Sequence, residues 1–197
     1  MNFQIVKGCF KVFSLRLIEK KDLDFIRQVR SHPETKKYLG TFVLLNEDKQ
    51  LDWYEKVIKD ETQLYFILEK TTVEKGDFNK DCNFIERLGY IRMTNIDYKN
   101  NSVCVGGDID MDERGKGYGK EMYKLIFDLV FDQMNMNCVY LYVLGTNERA
   151  MNLYKKMGFK ESGRLRQAVW KNGKYLDYIY MDILKEEWKN NKNLVSL

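Results

Sequence analysis

Along VFSLRLI (12–18), Val12, Ser14 and Arg16 alternate with Phe13, Leu15 and Leu17, a period of two that predicts a half-exposed first strand. The period then lengthens. Asp22 stands where a helix cap would, and Leu23, Ile26 and Val29 recur at helical spacing before Pro33, the one proline, in the loop SHPET. A second helix over about 47–59 presents Leu51, Tyr54, Val57 and Ile58 on one side, with Trp53 off that stripe. YFILE (65–69) and LGYIRMTNI (88–96) are rich in aromatic and β-branched residues and predict strands. Between them TTVEKGDFNKDCNFIER is long, polar and charged, and is expected to form a hairpin insertion over about 70–87.

In the second half, YKNNS (98–102) predicts a turn into a strand over 102–111. A helix from Tyr118 carries Met122, Leu125, Ile126, Leu129 and Val130 on one face, widened by Phe127 and Phe131. CVYLYVLG (138–145) is almost continuously apolar, which predicts a strand buried on both faces. A helix over about 147–157 stops at Gly158, and RLRQAVW and KYLDYIYMDIL flank the hairpin signal Asn172-Gly173. No internal repeat or interdomain linker interrupts this order. The pattern predicts an α+β fold: one mixed, mostly antiparallel sheet with helices on both faces, forming a single domain over 1–197.

Composition changes this picture little. At 197 residues, 44% apolar and 31% charged, the chain suits one ordinary globular core. The net charge of +4 is a small excess among many charges of both signs, so no nucleic-acid partner is expected, while an anionic ligand is permitted. No apolar run approaches the roughly 18 residues of a membrane span, and Lys7, Lys11 and Arg16 interrupt the N-terminal stretch. Neither a membrane partner nor a signal peptide is expected, and the expected location is cytoplasmic. Cys9, Cys82, Cys104 and Cys138 form no CxxC pair, and His32 is the one histidine. No metal is expected, and a mechanism built on a histidine cluster is excluded.

The chemistry-bearing stretch is RGKGYG, residues 114–119, where a strand gives way to the helix at Tyr118. A helix N-terminus offers backbone N–H groups without intrahelical partners and a partial positive charge. Gly115, Gly117 and Gly119 would let a phosphate approach, and Arg114 and Lys116 add positive charge, so the turn reads as a pyrophosphate site. The P-loop order and the dinucleotide G-x-G-x-x-G are both absent. What remains, R-x-x-G-x-G at Arg114, Gly117 and Gly119, resembles the acetyl-CoA signature of the GNAT superfamily of N-acetyltransferases. Asn147, Ala150, Tyr154, Gly158 and Phe159 match the superfamily's N-x-x-A-x-x-x-Y-x-x-x-G-F pattern. The closing hairpin resembles the branch that holds ribosomal-protein, spermidine and amino-sugar acetyltransferases, and the resemblance spans about 12–188.

The resemblance implies acetyl-CoA as co-substrate, no metal, and direct attack of an amine on the thioester. It casts Tyr154 as general acid toward the departing thiolate; without the motif, Tyr154 would read as a core tyrosine on a helix face. It places Asn147 at the reacting centre or the pantetheine, a role compatible with capping a helix. Ile109 to Met111 would offer backbone groups to the pantetheine, and Arg114, Gly115, Lys116, Gly117, Tyr118, Gly119 and Lys120 would hold the pyrophosphate. Where many relatives carry a glutamate this chain has Cys104, expected to be core, which leaves Asp108 as candidate base with Asp110 beside it. The wall at 30–54 holds Arg30, His32, Lys36, Lys37, Tyr38 and Trp53. Its cations and rings suit the diphosphate and base of a nucleotide-linked amino-dideoxy sugar, so Arg30, His32, Tyr38 and Trp53 are the expected acceptor contacts. The other acceptors weighed are a protein N-terminus and a polyamine, and from a different class, a CoA-binding module without catalysis. A homodimer is compatible with the sequence, although no pattern marks an interface.

Overall fold

The structure, a computed structural model, describes residues 2–6, 9–40, 46–74 and 84–195. Eight strands form one sheet: β1 (Asn2–Val6), β2 (Cys9–Leu17), β3 (Leu64–Glu74), β4 (Phe84–Asp97), β5 (Ser102–Ile109), β6 (Cys138–Leu144), β7 (Lys160–Lys171) and β8 (Lys174–Leu184). Their order is β1-β2-β3-β4-β5-β6-β8-β7. Every neighbouring pair is antiparallel except β5 and β6, which run parallel. The helices are α1 (Leu23–Ser31), α2 (Pro33–Lys36), α3 (Glu47–Val57), α4 (Tyr118–Phe127), α5 (Glu148–Lys156) and α6 (Lys185–Val195). This is the expected α+β architecture.

Strand alternation divides the core between the two faces of the sheet. From β4, Ile91 and Met93 join the larger core with Met122 and Ile126 of α4 and with Met157. Tyr90 turns the other way and joins Tyr65, Ile67 and the α1 residues Phe25, Ile26 and Val29. The face of α3 turned to this second core is Gln50, Trp53, Tyr54 and Val57, a helical stripe one position away from the expected one. Gln50 is buried because its amide donates to the Leu23 carbonyl at 2.5 Å, while apolar Ile58 is exposed. Polarity alone therefore misjudged which side of α3 faces inward.

Other local expectations are corrected by long-range partners. The Asp22 carboxylate does not cap α1; it accepts from Arg16 at 2.9 and 3.1 Å and from the Glu19 N–H at 2.9 Å, closing the short turn that precedes the helix. β3 and β4 extend into the expected insertion, so 70–74 and 84–87 are paired strand, and 75–83 lie outside the described residues. After Phe127 the helix widens into a π-helical stretch, Asp128–Gln133. Helix α6, absent from the sequence reading, sets Trp188 on Phe131 with ring centroids 5.0 Å apart. The hairpin signal holds: Asn172 and Gly173 take φ of 50° and 80°, the two left-handed residues of a type I′ turn. No described helix is long and apolar enough to cross a membrane.

Asp22 is fully buried and answered by Arg16, with Arg87 at 3.4 Å. Burial alone would raise its carboxyl pKa, but the hydrogen bonds from Arg16 and Glu19 outweigh it and hold the group below the usual range. A carboxyl depressed by folding stabilises above its unfolded pKa, about 4, and loses that contribution as pH falls through the folded value. Asp22→Ala is expected to lose about 3 kcal/mol in urea denaturation at pH 7. The gap between parent and variant should close as the titration is carried from pH 6 to about pH 2.

Candidate active site

The parallel contact between β5 and β6 lasts only from Ser102–Cys104 against Cys138–Tyr140. Beyond it β5 follows β4 to Ile109, while β6 follows β8 to Leu144. The strands part, and a cavity of about 480 Å³ occupies the gap. Its walls are residues 104–109 of β5, 142–144 of β6, the glycine-rich turn, the start of α5, and Tyr38, Gly40 and Tyr178. β6 was expected to be buried on both faces; instead Tyr142 stands exposed at this opening. From Val105 onward the β5 edge facing β6 has no strand partner among the described residues and can bond an extended amide chain.

At one end lies the turn. Gly115 and Gly117 take φ of 80° and 87°, and Gly117 immediately precedes α4. A Cβ at either would meet nothing, so left-handed backbone, and not space within the protein, is what these positions demand. Gly119 differs: a Cβ there would stand 3.0 Å from Leu153 Cδ2, so its smallness serves the packing of α4 on α5. Lys116 pairs with Glu113 at 3.0 Å, and the other carboxylate oxygen of Glu113 is buried without a partner. Tyr118 and Lys120 line the cavity, as do Arg149 and Lys156 of α5, two cations the motif reading missed. A free helix N-terminus, two left-handed glycines and these cations fit a pyrophosphate.

Two residues at this end carry contacts the motif did not announce. Arg114 lines the cavity while its guanidinium donates to the Ile109 carbonyl at 3.0 Å and to Thr35 Oγ1 at 2.5 Å. It is a strut between the turn and buried Thr35 of α2. The backbone at Ile109–Met111 is also partly spent: the Ile109 carbonyl accepts from Arg114, and the Asp110 N–H donates to Leu88 at 2.9 Å. Ile109 lines the cavity, whereas Met111 does not.

Midway along the cavity stand Tyr154 and Asn147. Asn147 caps α5, its side chain accepting from the Ala150 N–H at 3.2 Å, and still lines the cavity, so the structural and the chemical positions coincide. Tyr154 packs edge-on to Tyr123 and Phe159, with centroids at 5.5 and 5.8 Å. Burial pushes its phenol above the ordinary value, keeping it protonated at neutral pH. The Tyr123 hydroxyl is buried beside it, and its interaction with the Tyr154 phenol partly offsets the effect of burial. On β5, Asp108 accepts from Tyr90 at 2.9 Å. Cys104 is buried in the cavity wall, and burial raises its thiol pKa, which makes it a neutral lining group.

Of the four residues expected to contact the acceptor, one lines the cavity. Tyr38 lines the cavity, but Arg30, His32 and Trp53 do not. His32 Nδ1 accepts from the Glu34 N–H at 3.2 Å and caps α2. Trp53 packs edge-on to Tyr65 at 5.0 Å in the second core. In their place stand Arg92 from β4, Tyr142 from β6 and Tyr178 from β8. A Cβ on Gly40 would lie 1.5 Å from the Tyr178 hydroxyl, so that close approach requires glycine. Lys171 of the closing hairpin donates to the Lys36 and Leu39 carbonyls at 2.6 and 2.7 Å, fixing the far end of α2. Among the described residues no cluster of histidine, cysteine or acidic side chains could hold a metal ion.

Comparison with known proteins agrees with this geometry. The family model "Acetyltransferase (GNAT) domain" matches residues 13–160. A spermidine N(1)-acetyltransferase of Vibrio cholerae is 27% identical over 177 residues, covering 90% of this chain and 95% of its own. A putative ribosomal N-acetyltransferase of Bacillus subtilis is 24% identical over 179 residues, covering 91% and 94%. The crystal structure of the Vibrio cholerae spermidine N-acetyltransferase with CoA and spermine superposes with a TM-score of 0.78 at 26% identity, covering 90% of this chain and 98% of that one.

The glycines should separate by mutation. Gly117→Ala, which forces a side chain into φ near 87°, is expected to cost about 1 kcal/mol in urea denaturation and to weaken CoA binding about tenfold in calorimetry. Gly119→Val, which drives into Leu153, should cost more stability than that.

Proposed function

The chain belongs to the GNAT acetyltransferase family and is an acetyl-CoA-dependent N-acetyltransferase, and we propose that it acetylates the primary amine of a small molecule. The observation that carries this reading is the single cavity that joins the glycine-rich turn to Tyr154 and onward to Tyr38, Tyr142 and Tyr178. Acetyl-CoA supplies an acyl group already activated as a thioester, so the chain needs neither a nucleophile of its own nor a metal. Gly117 and the first turn of α4 hold the pyrophosphate, with Lys116, Lys120, Arg149 and Lys156 as surrounding cations. The unpaired edge of β5 aligns the arm, and Asn147 keeps its amide N–H₂ for it after capping α5.

Two proton movements remain. Tyr154, held protonated by burial, gives its proton to the departing sulfur. Asp108, with one oxygen taken by Tyr90, receives the proton of the amine, directly or through water. Arg114 positions the turn against α2 and so keeps the two substrate halves of the cavity in register.

For the acceptor, the relatives favour a polyamine: spermidine is in the name of the Vibrio cholerae enzyme, and none of these names supports a nucleotide-linked amino sugar. Spermidine is therefore the first acceptor to assay. A second reading rests on a charge in the acceptor wall, Arg92, and is developed below.

Thiol release from acetyl-CoA should depend on an added primary amine, and Tyr154→Phe should lower kcat about 10²-fold with CoA affinity retained. An unchanged kcat would remove Tyr154 as the acid. Absence of release with any amine, with CoA still bound, would favour a binding module.

A further inference from the structure

Arg92 occupies the face of the sheet that bounds the acceptor half of the cavity. The register sets it opposite Gly106, between the pairs Tyr90–Asp108 and Thr94–Cys104 on the same face. A Cβ on Gly106 would stand 3.1 Å from one guanidinium nitrogen of Arg92 and 3.2 Å from its central carbon. The bare backbone of β5 is thus what lets the guanidinium lie across the strand into the cavity wall. Gly106 is three residues, about 10 Å of strand, before the end of β5 at Ile109, and the glycine-rich turn begins only after that end. It belongs to the acceptor half.

Its nearest counter-charge, Asp108, acts on it through space and without a hydrogen bond. Among the described residues Arg92 makes no ion pair, and Asp108, the nearest acidic neighbour on this face, is engaged by the Tyr90 hydroxyl. Tyr142 and Tyr178 are phenols, protonated at neutral pH, and Cys104 is a thiol whose pKa burial raises. Glu113, the other carboxylate of the cavity, is paired with Lys116 at the turn. A guanidinium cannot shed its proton to escape this setting. A partly buried fork of N–H donors with no carboxylate hydrogen-bonded to it answers its own desolvation best when a ligand brings two oxygens to it.

Resting on the acetyltransferase reading, we propose that Arg92 is a specificity-determining residue and that the acceptor is a small primary amine carrying its own anionic group, a carboxylate or a phosphate, which Arg92 binds. The anion on the guanidinium would direct the amine toward Asp108 and the reacting centre. A polyamine instead sets its second cation against a fixed positive charge, so this chain parts from the spermidine substrate of its relatives while keeping their reaction.

The test is kcat/KM by thiol release with matched acceptors: an amino acid against its amide, 2-aminoethyl phosphate against ethanolamine, a nucleotide-linked amino sugar, and spermidine. The expected result is a preference of about 100-fold for one or more anionic members over the neutral partner, with the carboxylate and phosphate arms naming the source. Arg92→Gln should collapse that ratio to about 3, mainly through KM, and Arg92→Lys should restore part of it; CoA binding by each variant reports that it has folded. Best turnover of spermidine or of the neutral amines by the parent chain, or a ratio unmoved in Arg92→Gln, would overturn the proposal and leave the acetyltransferase reading intact. No release with any acceptor would overturn that reading and this proposal with it.

Discussion

The structure turns on the point where β5 and β6 stop pairing. Two parallel strands held for three residue pairs and then released create what an unbroken sheet cannot: a gap through its middle with backbone polar groups along one rim. The separation is stable because each strand keeps its other neighbour, β4 for β5 and β8 for β6, so neither loses its ladder. The rest follows from that break. The turn after β5, Asn147 and the start of α5 after β6, and Tyr38 to Gly40 all line the gap.

Within this gap the charges are segregated. Aromatic hydroxyls fill the centre, and burial keeps Tyr123 and Tyr154 protonated. Cations line the gap in two groups: Lys120, Arg149 and Lys156 near the turn, and Arg92 away from it. A neutral centre suits proton donation to sulfur, since a phenolate there could only accept. The struts that hold the ends, Arg114 on Thr35 and Lys171 on α2, consume cations that counting alone would assign to ligands.

What the sequence makes legible is what short-range physics controls. The Asn172-Gly173 turn, the amphipathic α4 and the cap at Asn147 are each decided within a few residues, and each stands where expected. Residues whose role depends on a distant partner are not legible in this way. Arg114 meets Thr35 across 79 positions, and nothing near it in sequence announces the hydroxyl. His32 and Trp53 carry the right chemistry for an acceptor wall, yet a cap and a core contact claim them first. Arg92 reads locally as one more outward polar residue of an alternating strand; only its register against Gly106 reveals that outward means into the cavity.

The tie from Lys171 to the carbonyls of Lys36 and Leu39 joins positions 135 and 132 apart in the chain. During synthesis, at roughly 5–20 residues per second, those carbonyls wait on the order of ten seconds before their donor is made. β7 and β8 must also pair before Lys171 can be held in place. The acceptor wall is therefore among the last parts of the molecule to acquire its native contacts, and a nascent chain could assemble the turn after β5 well before it can distinguish one amine from another.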